Sequence, residues 1–216
     1  KIQNYFNSVL SVVGNLDCKI MSDSILVYKE MPSSNKDEIE EFIKSIINIQ
    51  FEVAKSGHLL RGAMTYGDFY HDNDKDVFVG PALSEAYTLE TKFAKFPRVI
   101  ISSEFPFKEQ LKGLIDQFIV LSCSTKDKSL WGNIFDDAIT LNWLHPIIDH
   151  SDPKSFYDTH LKTVLEKGLD GNQSNLDKYL WLRKFYIEVF HEYKDKKAGG
   201  SASPWDEIFP EVESMF

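Results

Sequence analysis

Met21-Ser22-Asp23-Ser24-Ile25 is a highly informative part of this sequence, because it places one carboxylate at the tip of a tight apolar hairpin. Two short apolar runs, 17–21 and 25–28, flank the turn and predict its strands. A carboxylate on a rigid turn suits a divalent metal ion. The simpler interpretation is a turn aspartate that accepts a hydrogen bond from its own backbone. Asp23 is therefore a candidate metal ligand, with the simpler interpretation left open.

A second hairpin follows and opens directly onto a helix. It runs from Arg61-Gly62-Ala63 to Gly80-Pro81-Ala82. Proline is favoured at the first position of a helix, and a helix that opens from glycine is suited to phosphate. Residues 71–76, with three aspartates at alternating positions, predict a solvated hairpin tip, since the glycine and glutamate of a calcium loop are absent.

Composition limits the possible partners. The chain of 216 residues is 43% hydrophobic and 26% charged, as in ordinary globular proteins. Its net charge of -9 argues against a broad surface for nucleic acid or anionic membrane, although a local basic pocket for one triphosphate remains possible. No apolar run has the length of a membrane span. Cys18 and Cys123 are too few for a disulfide framework, so we expect a cytoplasmic protein.

The order of predicted elements favours an α+β fold, in which helices cover one face of an antiparallel sheet. Helices are predicted over 1–13, 36–56, 81–93, 107–118, 155–167 and 176–193. Further strands are predicted over 59–70, 77–79, 98–102, 119–123 and 134–144. We expect a core over 1–102, an α/β extension over 103–197, and a linker with an acidic aromatic tail over 198–216.

The order of these motifs resembles the catalytic domain of class III nucleotide cyclases. In that family a Gly-Asp-x-x hairpin carries a metal aspartate, matched here by Ser22-Asp23-Ser24-Ile25. A later strand has the pattern Leu-Arg-x-Gly-Ile-x-x-Gly, matched by 60–67 with the glycine displaced by one residue. The next pattern, Gly-x-x-Val-Asn-x-Ala-x-Arg-Leu, matches 80–89 in frame. The resemblance covers about residues 1–102 and implies a ferredoxin-like antiparallel sheet with a C-terminal helical extension.

Departures from the family pattern concern the site itself. Ser84 and Thr88 stand where the family has the asparagine and arginine that stabilise the transferring phosphate. Lys19 matches the lysine that reads the base, whereas the acid that helps to select a purine is replaced by Val77. The variant pattern over 80–90 is similar to that of the pyrimidine cyclases of bacterial Pycsar anti-phage systems.

That resemblance implies conversion of UTP, in preference to CTP, to a 3′,5′-cyclic mononucleotide that activates a separate effector. It also implies a homodimer and two Mg²⁺ or Mn²⁺ ions, held by two aspartates and the triphosphate. Asp23 matches one of these aspartates; the other belongs to an upstream Phe-x-Asp-x-x-Gly-Phe motif that this sequence lacks. We expect the chain as given to be inactive without that upstream strand.

Three further residues complete the predicted site. Arg61, together with Lys19, is a candidate for substrate contacts, and Lys95 or Arg98 is a candidate to replace the lost positive charge. A basic helix end is the simpler explanation for Lys95 and Arg98, since positive charge suits a helix C-terminus. Two rival functions stay open: a catalytically inactive cyclase-like domain that senses a nucleotide or acts as a scaffold, and an interaction module that docks through its tail.

Overall fold

The computed structural model of the chain describes residues 2–14, 16–31, 35–105, 119–121, 139–148, 156, 158 and 173–197. Helices lie at Ile2–Val13 (α1), Lys36–Lys55 (α2), Pro81–Lys92 (α3), His145–Ile148 (α4) and Gln173–Lys197 (α5). Strands lie at Asp17–Met21 (β1), Ser24–Tyr28 (β2), Gly62–Met64 (β3), Tyr70–Asp72 (β4), Val77–Val79 (β5), Val99–Ile101 (β6), Ile119–Leu121 (β7) and Ile139–Leu141 (β8).

The β1–β2 hairpin forms as the sequence predicts. Its strands pair antiparallel, with Met21 opposite Ser24 across a turn of two residues. Ser22 takes a φ of 57°, the left-handed conformation that such turns require at their first position. Asp23 follows it at the exposed tip.

Helix α2 packs against both the larger β-sheet and the unit formed by α1 and the β1–β2 hairpin. Asn35 caps it, since its side chain accepts a hydrogen bond of 3.0 Å from the Asp37 backbone N–H. Ile39, Ile43 and Ile47 lie one helical turn apart and pack against the sheet residues Met64, Val99, Ile101 and Leu141. Farther along the helix, Ile49 and Val53 pack instead against α1 and the β1–β2 hairpin.

The larger sheet has four strands in the order β3-β6-β8-β7. Strands β3 and β6 pair parallel, while β6–β8 and β7–β8 are antiparallel, so the sheet is not the purely antiparallel one that we expected. A parallel pair requires a crossover between its strands. Helix α3 supplies it, since it follows β3 in the chain and precedes β6.

Helices cover both faces of this sheet, which corrects the expectation of one covered face. Val99 and Ile101 face α2. Side chains alternate along a strand, and the neighbouring positions contact other helices: Ser102 hydrogen-bonds Glu85 of α3, and Arg98 lies over the ring of Trp181 in α5. The fold is therefore α+β, with a sheet between α2 on one side and α3 and α5 on the other.

The predicted strand over 59–70 is the clearest local error. Strand β3 is short, and the chain leaves it near Gly67, where φ is 155°. The carbonyl of Asp68 then accepts a hydrogen bond of 3.3 Å from Ala82 at the start of α3. That bond holds residue 68 at the end of a helix and not in a strand ladder. The helices predicted over 107–118 and 155–167 and the tail over 198–216 lie outside the described residues, apart from 156 and 158.

Candidate functional site

An open groove of about 1590 Å³ separates the β1–β2 hairpin from the four-stranded sheet. Strand β2 forms one wall and residues 58–67 form the other. Phe42, Ile46 and Ile49 of α2 lie along it as an apolar floor. This volume exceeds the range of about 300–1,000 Å³ that is usual for small-molecule pockets. The groove is therefore large enough for a nucleotide and also for a segment of polypeptide.

Charged residues of both signs border the groove. Asp17, Asp23, Arg61, Lys95 and Lys178 all line it. Arg61 is held by an ion pair, in which its Nε lies 2.6 Å from Oε1 of Glu90 on α3. Because both side chains remain partly exposed, the pair orients the guanidinium without removing it from solvent. The structure thus brings together three of the predicted residues: Asp23, Arg61 and Lys95.

The described residues do not form the two-ion centre that the resemblance implies. Asp23 is exposed at its turn. Within the described part of the chain, no group of three or more His, Cys, Asp or Glu side chains is placed to hold a metal ion. One carboxylate supplies too few protein ligands for two Mg²⁺ or Mn²⁺ ions. The donor set found here does not fit that cofactor.

Lys19 has a carboxylate partner that the sequence pattern did not identify. Its ammonium forms an ion pair with Asp76 and lies 5.6 Å from the ring centroid of Phe78. Val77, where the pattern placed the missing acid, is the next residue and is 40% exposed. Valine thus stands at the position of the family's acid, and Lys19 pairs with the carboxylate one position earlier.

An aromatic cluster joins the β4–β5 hairpin to β2. The ring of Tyr28 lies 4.9 Å from His71, 5.2 Å from Phe69 and 6.2 Å from Phe78, centroid to centroid. Such tilted ring pairs stabilise by about 0.5–1.5 kcal/mol each beyond their buried area. Together with the ion pair of Lys19, they hold the tip of the second hairpin against the first.

Lys75 stabilises the negative charge of Asp72 at the tip of the β4–β5 hairpin. It donates to Asp72 from both its ammonium, at 2.7 Å, and its backbone N–H, at 3.1 Å. These hydrogen bonds lower the pKa of the Asp72 carboxyl. Asp72 is thereby committed to the turn, and Asp76 takes up the contact with Lys19.

Ser84 and Thr88 lie on α3 with their hydroxyls turned to their own helix. Ser84 Oγ donates to the Gly80 carbonyl at 3.2 Å, and Thr88 Oγ1 donates to the Ser84 carbonyl at 2.8 Å. Both are the i to i−4 bonds that serine and threonine often make in helices. Each hydroxyl keeps its acceptor lone pairs but has used its one proton.

Gly80 is fixed by close approach of the backbone. A Cβ at this position would lie 2.4 Å from the Asp68 carbonyl oxygen and 2.9 Å from the Phe69 Cα. Only glycine fits without displacing that backbone. The residue therefore sets how closely α3 approaches the segment after β3, on the wall of the groove.

Arg98 is buried and belongs to the core of the fold. It is 2% exposed, and its guanidinium carbon lies 5.5 Å from the ring centroids of both Phe96 and Trp181. Its NH2 group donates to the Phe93 carbonyl at 3.3 Å. These contacts give Arg98 a packing role, and it is not among the residues that line the groove.

No family model, curated protein or solved structure matches this chain. Among the described residues, no helix has both the length and the apolar character needed to cross a membrane.

Proposed function

We propose that the chain belongs to a class III cyclase-type domain that converts a pyrimidine triphosphate, UTP in preference to CTP, to a 3′,5′-cyclic mononucleotide in anti-phage defence. The observation that supports this proposal best is that Asp23, Arg61 and Lys95 border the same groove. Cations at the mouth of a groove attract triphosphate. The product would act on a separate effector, as the resemblance implies.

The pair of Lys19 and Asp76 is a candidate reader of the base. A lysine donates hydrogen bonds and an ionised carboxylate accepts them. The Watson–Crick edges of uracil and cytosine each carry both a donor and acceptors, so both bases offer partners to such a pair. Base selection then depends on how the pair is placed relative to the bound ribose.

Metal chemistry needs residues beyond those described. The resemblance implies two divalent ions, which would activate the ribose 3′-hydroxyl and stabilise the departing pyrophosphate. Asp23 alone does not hold them, so no catalytic step is assigned to this chain through those ions. Arg61, oriented by Glu90, is proposed to contact the phosphates.

A homodimer is the proposed assembly, and the β4–β5 hairpin offers a surface for it. Tyr70 and Val79 pair across the strands and are 57% and 55% exposed. Val77 lies on the same face, since alternate residues of a strand share a face. Val79→Lys, with Asp74→Lys as a control at the polar tip, tests this surface by sedimentation. Loss of the dimer in the first variant only is the expected result.

The activity is tested with protein expressed from the complete gene. Each of the four NTPs is incubated with Mn²⁺, and cyclic mononucleotide is measured by mass spectrometry. We expect product from a pyrimidine triphosphate and a loss of about 100-fold or more in Asp23→Asn. Asp74→Asn, which removes a carboxylate from the solvated tip, serves as the matched control. No product from any NTP would overturn the proposal.

A catalytically inactive nucleotide sensor is the second candidate. It is favoured by the hydroxyls of Ser84 and Thr88, whose protons are already donated to the helix backbone. A thermal-shift series with the same NTPs and Mn²⁺ separates the candidates. A rise in Tm without product supports the sensor, whereas a rise accompanied by product supports the cyclase.

A further inference from the structure

Helix α5 contributes a lysine to the wall of the groove. Lys178 lines the groove together with its neighbour Tyr179, and among the described side chains of α5 no others do. Lys178 is exposed, whereas Asp177 beside it is exposed but does not line the groove. This helix therefore brings a positive charge to the groove, although most of its described residues belong to the core.

An aromatic stack fixes where Lys178 lies. Trp181, one helical turn later, stacks on Phe96 with the ring centroids 5.5 Å apart and the planes inclined by 1°. Residues three apart in a helix are neighbours on its surface. Because Trp181 is 0% exposed, the stack is held by close packing and keeps this turn of α5 against the segment before β6. Lys178 is thereby placed near that segment.

The strand register brings Arg61 to the same part of the fold. Gly62 pairs with Val99, and the Gly62 N–H donates to the Arg98 carbonyl at 2.9 Å. Arg61 and Arg98 each stand one residue before this pair, so they lie side by side on one face of the sheet. On that face Arg98 lies over an aromatic ring of α5, and Arg61 pairs with Glu90 of α3. Arg61 therefore lies on the side of the sheet that α3 and α5 cover.

Lys95 adds a further cation at the same end of the two strands. It immediately precedes Phe96, and its backbone N–H donates to the Phe93 carbonyl at 2.8 Å, which fixes the turn. Its side chain is exposed and lines the groove. Arg61, Lys95 and Lys178 thus approach the groove from three segments, near the N-terminal ends of the parallel strands β3 and β6.

We propose that Lys178 is a phosphate-binding residue, which together with Arg61 and Lys95 holds the phosphate chain of a triphosphate. The guanidinium of Arg61 can bind phosphate oxygens in pairs, and each lysine supplies a compact charge with three donors. Cations on separate segments can contact successive phosphates of one chain. The ligand class rests on the proposed function, whereas the site itself rests on the stack and the strand register.

Calorimetry of the full chain with inorganic tripolyphosphate tests this site without a nucleotide or a reaction. Lys178→Gln should weaken binding about 5- to 20-fold, because it removes charge-assisted hydrogen bonds. Lys184→Gln is the matched control, since Lys184 is in the same helix but pairs with Glu188 and does not line the groove. It should change the affinity by about twofold or less. Equal losses in the two variants would overturn the contact.

Two further measurements examine the nature of the contact. Lys178→Arg keeps the positive charge and should retain most of the affinity, whereas a loss equal to that of Lys178→Gln would overturn binding through charge. Orthophosphate should bind at least about tenfold more weakly than tripolyphosphate, because it reaches fewer cations. Equal affinity for the two anions would overturn a site built from three cations.

The stack of Phe96 on Trp181 is tested by a double-mutant cycle. Phe96→Leu removes the stack but keeps an apolar side chain. In that background Lys178→Gln should weaken tripolyphosphate binding by only about twofold or less, because the lysine is no longer held in place. Phe96→Tyr keeps the ring and should preserve the full effect of Lys178→Gln. An undiminished effect in Phe96→Leu would overturn the stack as the element that positions Lys178.

The activity assay distinguishes failure of this site from failure of the proposed function. Weaker tripolyphosphate binding in Lys178→Gln, with no cyclic product from the complete gene, would support the phosphate site and overturn the cyclase. Cyclic product with an unchanged KM for the pyrimidine triphosphate in Lys178→Gln would overturn the role of Lys178 alone. If the unsubstituted chain bound no tripolyphosphate, the phosphate site would be overturned whatever the activity.

Discussion

The four-stranded sheet and the β1–β2 hairpin pack on the same helix but differ in how completely they are enclosed. The sheet lies between α2 and the pair α3 and α5, and Trp143, Leu144, Trp181 and Phe185 are almost fully buried around it. The hairpin is covered by α1 and α2 on one face, and its edge opens onto the groove. We expect the enclosed side to account for most of the stability, whereas the open side carries the exposed charges on which the function is proposed.

The largest expected effect is a loss of stability from a substitution in the core of the enclosed side. Trp181 is 0% exposed and stacks on Phe96 and Phe185 at centroid distances of 5.5 and 5.2 Å. Trp181→Ala should lower the free energy of unfolding by about 3–5 kcal/mol, measured by urea denaturation. Tyr87→Ala, at a side chain that is 70% exposed, is the control and should change it by about 0.5 kcal/mol or less. Equal losses of unfolding free energy in the two variants would show that the enclosed side does not contribute more to stability than the exposed surface.

Gly80→Ala tests the contact between α3 and the segment after β3. The new Cβ meets the backbone of Asp68, so we expect a loss of about 2–3 kcal/mol in the free energy of unfolding. Gly62→Ala is the matched control, because its Cβ would lie 3.4 Å from a flexible methyl group of Val99. It should cost about 1 kcal/mol or less. If Gly62→Ala lowered the Tm more than Gly80→Ala, the backbone of α3 would not lie as close to Asp68 as described.

Arg98→Lys separates packing from catalysis. Lysine cannot reproduce the planar contact with Phe96 and Trp181, so a loss of about 1–3 kcal/mol is expected in chemical denaturation. Binding of triphosphate, measured by calorimetry, should stay unchanged. Lys95→Gln, at the exposed rim of the groove, should weaken triphosphate binding and leave the free energy of unfolding unchanged. Weakened binding with full stability in Arg98→Lys would return this residue to the site.

The ion pair of Arg61 and Glu90 should have a small effect on stability. Both side chains are partly exposed, so a double-mutant cycle with Arg61→Gln and Glu90→Gln should give a coupling of about 0.2–1 kcal/mol. If Arg61 contacts phosphate, its substitution weakens triphosphate binding far more than it lowers Tm. A coupling energy above this range would show that the ion pair stabilises the fold as strongly as a buried contact does.

The smallest expected effect is the acid dependence of the exposed hairpin tip. The hydrogen bonds from Lys75 lower the pKa of Asp72 below its ordinary value of 3.8. Their contribution to stability is therefore full above that value and is lost as the pH falls through the lowered pKa. In Lys75→Gln, the Asp72 carboxyl should titrate closer to 3.8 in NMR. An unchanged midpoint would show that Lys75 does not hold this carboxylate.

Sequence reasoning succeeded where a local pattern determines structure. The apolar runs around Asp23 predicted the first hairpin, and the stripe with Ile39, Ile43 and Ile47 predicted α2, because both depend on neighbouring residues. Pro81 likewise marked the start of α3. These elements position the groove, so much of the framework was predictable.

Contacts between distant segments were not predictable in the same way. The ion pair of Lys19 with Asp76 depends on how the two hairpins dock, which no local pattern specifies. Arg98 was predicted to be catalytic from its charge, but it is buried against Trp181 of α5, a residue far away in the sequence. The position of β3 at the edge of the described sheet depends on the strand order, since Gly62–Met64 has the same sequence whether or not a neighbour lies beside it.

Among the described residues, the outer edges of β2 and β3 pair with no further strand, which bears on how the chain behaves in solution. An edge that displays free N–H and C=O groups is a template for strands of other molecules, and this is a recognised route to aggregation. The net charge of -9 opposes such encounters through repulsion at low ionic strength. Salt screens that repulsion, so the solubility of the chain should fall as salt is added.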